Sequence, residues 1–158
     1  MAARKVPAKY TKGLGKSTQD KRRAEIRKRA TGKKESYKPL PGDAKAKTKP
    51  STYTKRIKAS GLRRVIIEET PKGKGSANER FVKATARVTD IPRGIIQKVF
   101  DRGLAAWAVG HRPGATQTQW ARARVYSFVT KGKTTTTGDA DLFAKAKEAL
   151  KQKGKRWP

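Results

Sequence analysis

Residues 102–134 read RGLAAWAVGHRPGATQTQWARARVYSFVTKGKT, and the fold turns on how this stretch is divided. Upstream of it, Ile95, Ile96, Val99 and Phe100 lead into Leu104, Trp107 and Ala108 at helical spacing, which predicts one core helix. Asp90-Ile91-Pro92 supplies its start, because Asp accepts from the free amides of a first turn and Pro is tolerated just inside it. Gly110 is placed to end it in the left-handed conformation. After the Gly-His-Arg-Pro-Gly turn, Ala121, Val125, Phe128 and Val129 fall on one stripe of a second helix, beginning near Ala115 or Thr116 and ending near Gly132. Large aromatics on such stripes are normally buried, so Trp107 belongs to a core and Trp120 to its edge. Asp139 or Asp141 opens a third helix, with Leu142, Phe143, Ala146, Ala149 and Leu150 on one face, lysines on the other and Gly154 at its end.

Before this helical part the signals change character. Val65-Ile66-Ile67 is the densest β-branched run and predicts a strand, followed by a turn-rich break over 71–76. Phe81 to Val88 alternates, with Val82, Ala84, Ala86 and Val88 on one face, which predicts a second strand; a helix opened at Ser76 or Asn78 is its rival. Residues 1–63 carry 21 Lys and Arg against four acids and few large aliphatics, the composition of an extended basic arm. Within it Thr18 to Arg29 favours a short helix, which needs a partner surface because Ile26 is its one aliphatic anchor. The predicted fold class is therefore α+β. A small, mainly helical module of about three helices plus a β-hairpin occupies 64–158, with a basic C-terminal tail, and a long extended basic N-terminal arm occupies 1–63.

Composition narrows the chemistry. Among 158 residues, 41 Lys and Arg against 12 Asp and Glu give a net charge of +29, a field that attracts polyanions. With no Cys there is no disulfide, no thiolate nucleophile and no cysteine-ligated zinc. No apolar run is long enough to span a bilayer and no apolar signal core opens the chain, so a protein made in a cytosol is expected.

Motifs that invite an enzymatic reading fail on spacing. Gly13-Leu14-Gly15-Lys16-Ser17 and Lys131-Gly132-Lys133-Thr134 echo a phosphate loop, but the glycine required five residues before Gly-Lys is Tyr10 in one and Ser127 in the other. His111 is the one imidazole; without a nucleophile or further ligands, and beside Arg112, it reads first as a turn histidine. Asp139 and Asp141 are spaced to cap a helix rather than to hold the metals of a nuclease. No enzyme, cofactor, metal or small-molecule substrate is expected. The residues predicted to meet a partner or an anion are His111, Arg112, Arg122, Arg124 and Lys133 on the module, aimed by the Arg112-Pro113-Gly114 turn. On the arm they are the clusters Lys21, Arg22, Arg23 and Arg27, Lys28, Arg29, which suit backbone phosphates or a nuclear-import signal rather than base-specific contacts.

Gly103 to Trp107, Gly110 to Ala115, Trp120, Ala123 to Val125, Ser127-Phe128, Gly132 to Thr134 and Asp139 to Leu142 together resemble an uncharacterised family of large double-stranded DNA viruses, notably of algae, and of cyanobacterial tailed phages. The resemblance spans about 40 residues and implies a virion-associated protein without supplying an activity. It leads to the expectation of a minor capsid protein, in which the arm and the helical module cement neighbouring major and minor capsid proteins. Nucleic acid or an anionic inner membrane surface is a further expected partner. A non-sequence-specific nucleic-acid-binding or genome-condensing protein of the virion is the alternative. The expected location is the virion, after synthesis in the host cytoplasm, with passage through the nucleus left open.

Overall fold

Seven α-helices form the regular structure of residues 5–31, 38–47, 49–70 and 72–158, which are those described by the computed structural model. They are α1 (Lys16–Thr31), α2 (Thr52–Ala59), α3 (Leu62–Glu69), α4 (Ala77–Thr89), α5 (Arg93–Val109), α6 (Gln117–Val129) and α7 (Ala140–Gln152). Short 3-10 turns occur at Ala8–Tyr10 and Lys133–Thr136, and no strand occurs among the described residues.

The predicted α+β class is therefore corrected to all-α. Both expected strands are helices, for reasons present locally in the chain. In α3 the β-branched run has Ile66 buried and Val65 and Ile67 exposed, at 43% and 52%, so one aliphatic side chain per turn does the packing. In α4 a capping box overrides the alternation: the Ser76 hydroxyl accepts from the Glu79 amide and the Glu79 carboxylate accepts from the Ser76 amide. Phe81, Val82, Ala84, Thr85 and Thr89 are then buried at helical spacing. The small alanines satisfied both periods, and the capping box decided between them.

Within the segment expected as an extended basic arm, the helix expected over Thr18 to Arg29 is present and slightly longer. Lys16–Thr31 is a 16-residue helix in which Ile26 and the whole Arg22 side chain are buried. Residues 1–4, 32–37 and 48 of that segment lie outside the described residues. The predicted core helices appear as α5, α6 and α7, with Ile96, Val99, Phe100, Trp107, Val125, Phe128, Leu142 and Leu150 all buried. Gly110 does not end α5 in the left-handed conformation, since its φ is not among the positive values; it is buried beside Tyr10 and Ile26, where a Cβ would lie 3.0 Å from the Tyr10 ring.

Contacts divide the chain into two compact units, residues 1–49 with 103–120 and residues 50–102 with 121–158. The first is built on α1, the last turns of α5 and the loop into α6, with Ile26, Leu40, Trp107 and Ala115 buried and Tyr10 edge-on to Trp120 at 5.8 Å. In the second, Phe81 packs against Phe100 and Tyr126, and Phe128, Phe143 and Trp157 form a further aromatic group. Burying an aromatic of this size contributes about 1.5–3 kcal/mol by area alone. The Trp157 indole N–H also donates to the Val129 carbonyl at 2.7 Å, so the basic C-terminal tail is pinned by its one aromatic.

Candidate functional site

The first unit is centred on a buried charge. Arg22 reaches inward from α1 with no exposed side-chain surface, which is tolerable only if every donor finds a partner. Its Nε donates to the Tyr10 carbonyl at 2.7 Å and its Nη2 to the His111 carbonyl at 2.8 Å. Its Nη1 donates to the Pro41 carbonyl at 2.9 Å and to Asp43 Oδ1 at 2.8 Å. Asp43 also accepts from the amides of Gly114 and Leu40, at 3.0 and 2.7 Å, and its Oδ2 lies 2.6 Å from His111 Nε2. Burial by itself pushes this carboxyl up; the hydrogen bonds from His111, Gly114, Arg22 and Leu40 outweigh that and hold it well below the usual carboxylate range.

His111 lies fully buried within the same node. Its Nδ1 is 2.7 Å from the Trp107 carbonyl, so both ring nitrogens lie against oxygens that accept. The ring stacks on Trp107 with centroids 4.4 Å apart and planes 8° from parallel, and Trp107 in turn donates to the Ala115 carbonyl. The Gly-His-Arg-Pro-Gly segment is thus a packed corner. Gly114 takes the left-handed conformation, φ 80°, that points its amide at Asp43.

A second carboxylate node organises the second unit. Asp139, fully buried, accepts Nε and Nη2 of Arg124 at 2.8 and 3.0 Å in a two-pronged pair, and also the Thr134 hydroxyl. Arg102 adds a contact to Asp139 at 3.3 Å and a two-pronged pair with Asp141 at 2.8 Å. Hydrogen bonding from Arg102 holds Asp141 below its usual range, and the same bond raises Arg102. Gly132 is buried with Tyr53 and the Ser127 hydroxyl where a Cβ would be, so the Gly-Lys-Thr string forms a tight turn aimed at Asp139. Its threonine serves the carboxylate.

The predicted partner-binding residues consequently separate. Arg22, His111 and Arg124 spend their polar atoms internally. Arg23 bonds Asp20, Gln19 and Thr11, and Arg29 bonds Glu25 and the carbonyls of Lys38, Pro39 and Ala108. Lys21, Arg27, Lys28 and Lys133 are exposed, and Arg112 is half-buried in the first unit. Arg122 differs from all of these: its guanidinium lies 4.8 Å over the Phe81 ring and its Nε has no hydrogen-bond partner among the described residues. Sequence reasoning missed Asp43, whose one signal is an acid following Pro41-Gly42 inside a strongly basic segment. It also missed Arg63 and Arg80, which nothing in their spacing sets apart.

Both nodes fall within residues 7–146, the span matched by the family described as of unknown function, DUF5824. The chain belongs to DUF5824. No curated protein and no solved structure matches it. The DUF5824 span includes Arg22, Asp43, His111, Arg124 and Asp139, so in this DUF5824 chain the two carboxylate nodes are part of the matched domain. The family description brings no activity with it. The chemistry has to be read from the side chains themselves, and among the described residues no three His, Asp or Glu side chains are grouped to hold a metal ion.

Proposed function

We propose that the protein binds nucleic acid through its phosphate backbone, without sequence preference. The observation that carries this reading is the way charge is spent. Among the described residues, eight carboxylates are already paired with Arg or Lys, and over the whole chain Lys and Arg outnumber Asp and Glu by 41 to 12. Exposed cations occur throughout both units, among them Lys21, Lys45 and Lys47 in the first and Lys58, Lys145 and Lys151 in the second. Lysine on a helix face contacts phosphates as a point charge and carries no base information.

The expected result is a steep salt dependence. Fluorescence anisotropy with a labelled duplex gives a log Kd that rises linearly with log salt, and six or more neutralised phosphates correspond to a loss of roughly 10³-fold or more between 50 and 200 mM salt. Replacing Lys145 and Lys151 by Gln lowers that slope by about one per lysine and leaves sequence preference flat. A shallow slope, or strong preference for one sequence, removes the proposal.

A structural place in the virion is a second reading, favoured by the likeness of the Gly103–Leu142 motifs to viral proteins. Here the protein contacts other capsid proteins, and its helices act as the docking module. In purified particles treated with nuclease it stays bound at a defined copy number; loss on nuclease treatment leaves nucleic-acid binding as the sole role.

A further inference from the structure

The second unit contains a cavity of about 360 Å³ whose wall combines cationic and apolar side chains. Arg63 of α3, Arg80 of α4 and Arg122 of α6 line it with Lys72, and Phe81, Tyr126 and Ile67 complete most of the wall. No carboxylate lines it. The acids on the neighbouring stretch of α3 are engaged elsewhere, Glu68 with Arg64 and Glu69 with Arg87.

Two arginines of this wall carry donors without a partner among the described residues. The Nε atoms of both Arg63 and Arg122 are buried and lack a hydrogen-bond partner among the described residues. Buried donors left unpaired are costly and are usually matched by a ligand, an ion or water. Arg122 is held by its contact with the Phe81 ring, which consumes none of its N–H groups. Arg80, by contrast, is fixed by the carbonyls of Gly73 and Gly75, at 2.5 and 2.9 Å, and adds charge to the wall from a set position.

We propose that this cavity binds a phosphate monoester, its phosphate held by Arg63 and Arg122 and its organic body lodged against Tyr126 and Ile67. Charge selects the head group: a phosphate monoester carries about −1.5 to −2 at neutral pH and offers three acceptor oxygens, whereas a carboxylate leaves most of the cationic excess unmatched. Size selects the body, since cavities of about 300–1,000 Å³ accommodate whole small organic molecules rather than a bare ion. The ester comes either from a free small molecule or from the 5′-phosphate end of a nucleic-acid strand. The site is independent of the surface lysines invoked for duplex binding, so either can fail alone.

The test uses the full chain and wild-type resonances first. Adenosine 5′-monophosphate, adenosine and 5′-phosphorylated and 5′-hydroxyl oligonucleotides are titrated while the Arg63 and Arg122 Nε–H signals are followed by NMR and affinity by calorimetry. Both arginine signals shift with a phosphorylated ligand, and its unphosphorylated counterpart binds at least about tenfold more weakly. Binding of the mononucleotide identifies a free ester as the source; preference for the phosphorylated strand alone identifies the strand end. The R63Q/R122Q variant loses about tenfold to a hundredfold in affinity for that ligand and keeps the lysine-dependent salt slope of duplex binding. Absence of phosphate-dependent binding in both arms, unmoved arginine signals, or unchanged affinity in the double variant overturns the proposal.

Discussion

Asp43→Asn is expected to destabilise the first unit by about 3–5 kcal/mol, the range found when one partner of a buried ion pair is removed. The substitution keeps shape and volume, so the loss is electrostatic and not a cavity effect. Every group facing the carboxylate is a donor or meets it as one: Arg22 and the Gly114 amide at Oδ1, His111 and the Leu40 amide at Oδ2. An amide NH₂ at either position places a donor against donors, and Arg22 is left charged and without solvent. The indole N–H signals of Trp107 and Trp120 report this unit, and their loss at lower denaturant concentration in the variant measures the effect. An unchanged midpoint shows that the node contributes no net stability.

The same carboxylate sets a pH dependence whose sign follows from its depressed pKa. Its contribution is complete above the ordinary Asp value of about 3.9 and declines as pH falls below that toward the folded-state value. Acid is therefore expected to lower the stability of the wild-type unit through Asp43. Asp141 shifts in the same direction and adds to the wild-type acid limb, but it is half exposed and screened by solvent. The difference between wild type and Asp43→Asn, measured from pH 7 down to pH 2, isolates the first node and shrinks as the pH falls.

Asp139→Asn is the second large effect, expected at about 2–3 kcal/mol in the second unit. It ranks below Asp43 because Arg124 and Arg102 keep some solvent, with 21% and 37% of their side chains exposed, whereas Arg22 keeps none. Losing the two-pronged Arg124 contact also releases the Thr134 hydroxyl and with it the turn over Lys133–Thr136. Trp157 is the probe, since its indole donates to Val129 and packs on Phe128 and Phe143. Asp141→Asn serves as the comparison, because it removes the exposed half of the Arg102 contact and leaves Arg124 paired. Equal midpoints for the two variants would place the stabilisation at Arg102 instead.

Periodicity in the chain was enough to locate α5, α6 and α7. Apolar residues recur there at three- and four-residue intervals, Asp139 precedes α7, and most of the predicted core residues from Ile96 to Leu150 are buried, with Leu104, Ala108, Phe143 and Ala149 half-buried. It misassigned α3 and α4, where a short β-branched run and an alanine-rich alternation look alike in both periods. The Ser76–Glu79 capping box was legible and carried the answer for α4. The basic segment was misjudged for a different reason: composition counts Arg22 as charge and cannot show that one guanidinium will be buried with four hydrogen bonds.

The sequence by itself determined the cationic excess, the absence of thiol chemistry, the failure of the phosphate-loop spacing and the helical core around residues 102–134. Only the tertiary structure decided which cations serve the fold and which stay exposed. An arginine's role depends on the carbonyls and carboxylates brought to it from distant parts of the chain, 89 residues away for Arg22 and His111, and no local pattern encodes that distance. For the same reason the turn expected at Gly110 to Ala115 is the corner on which Arg22, Asp43 and His111 close.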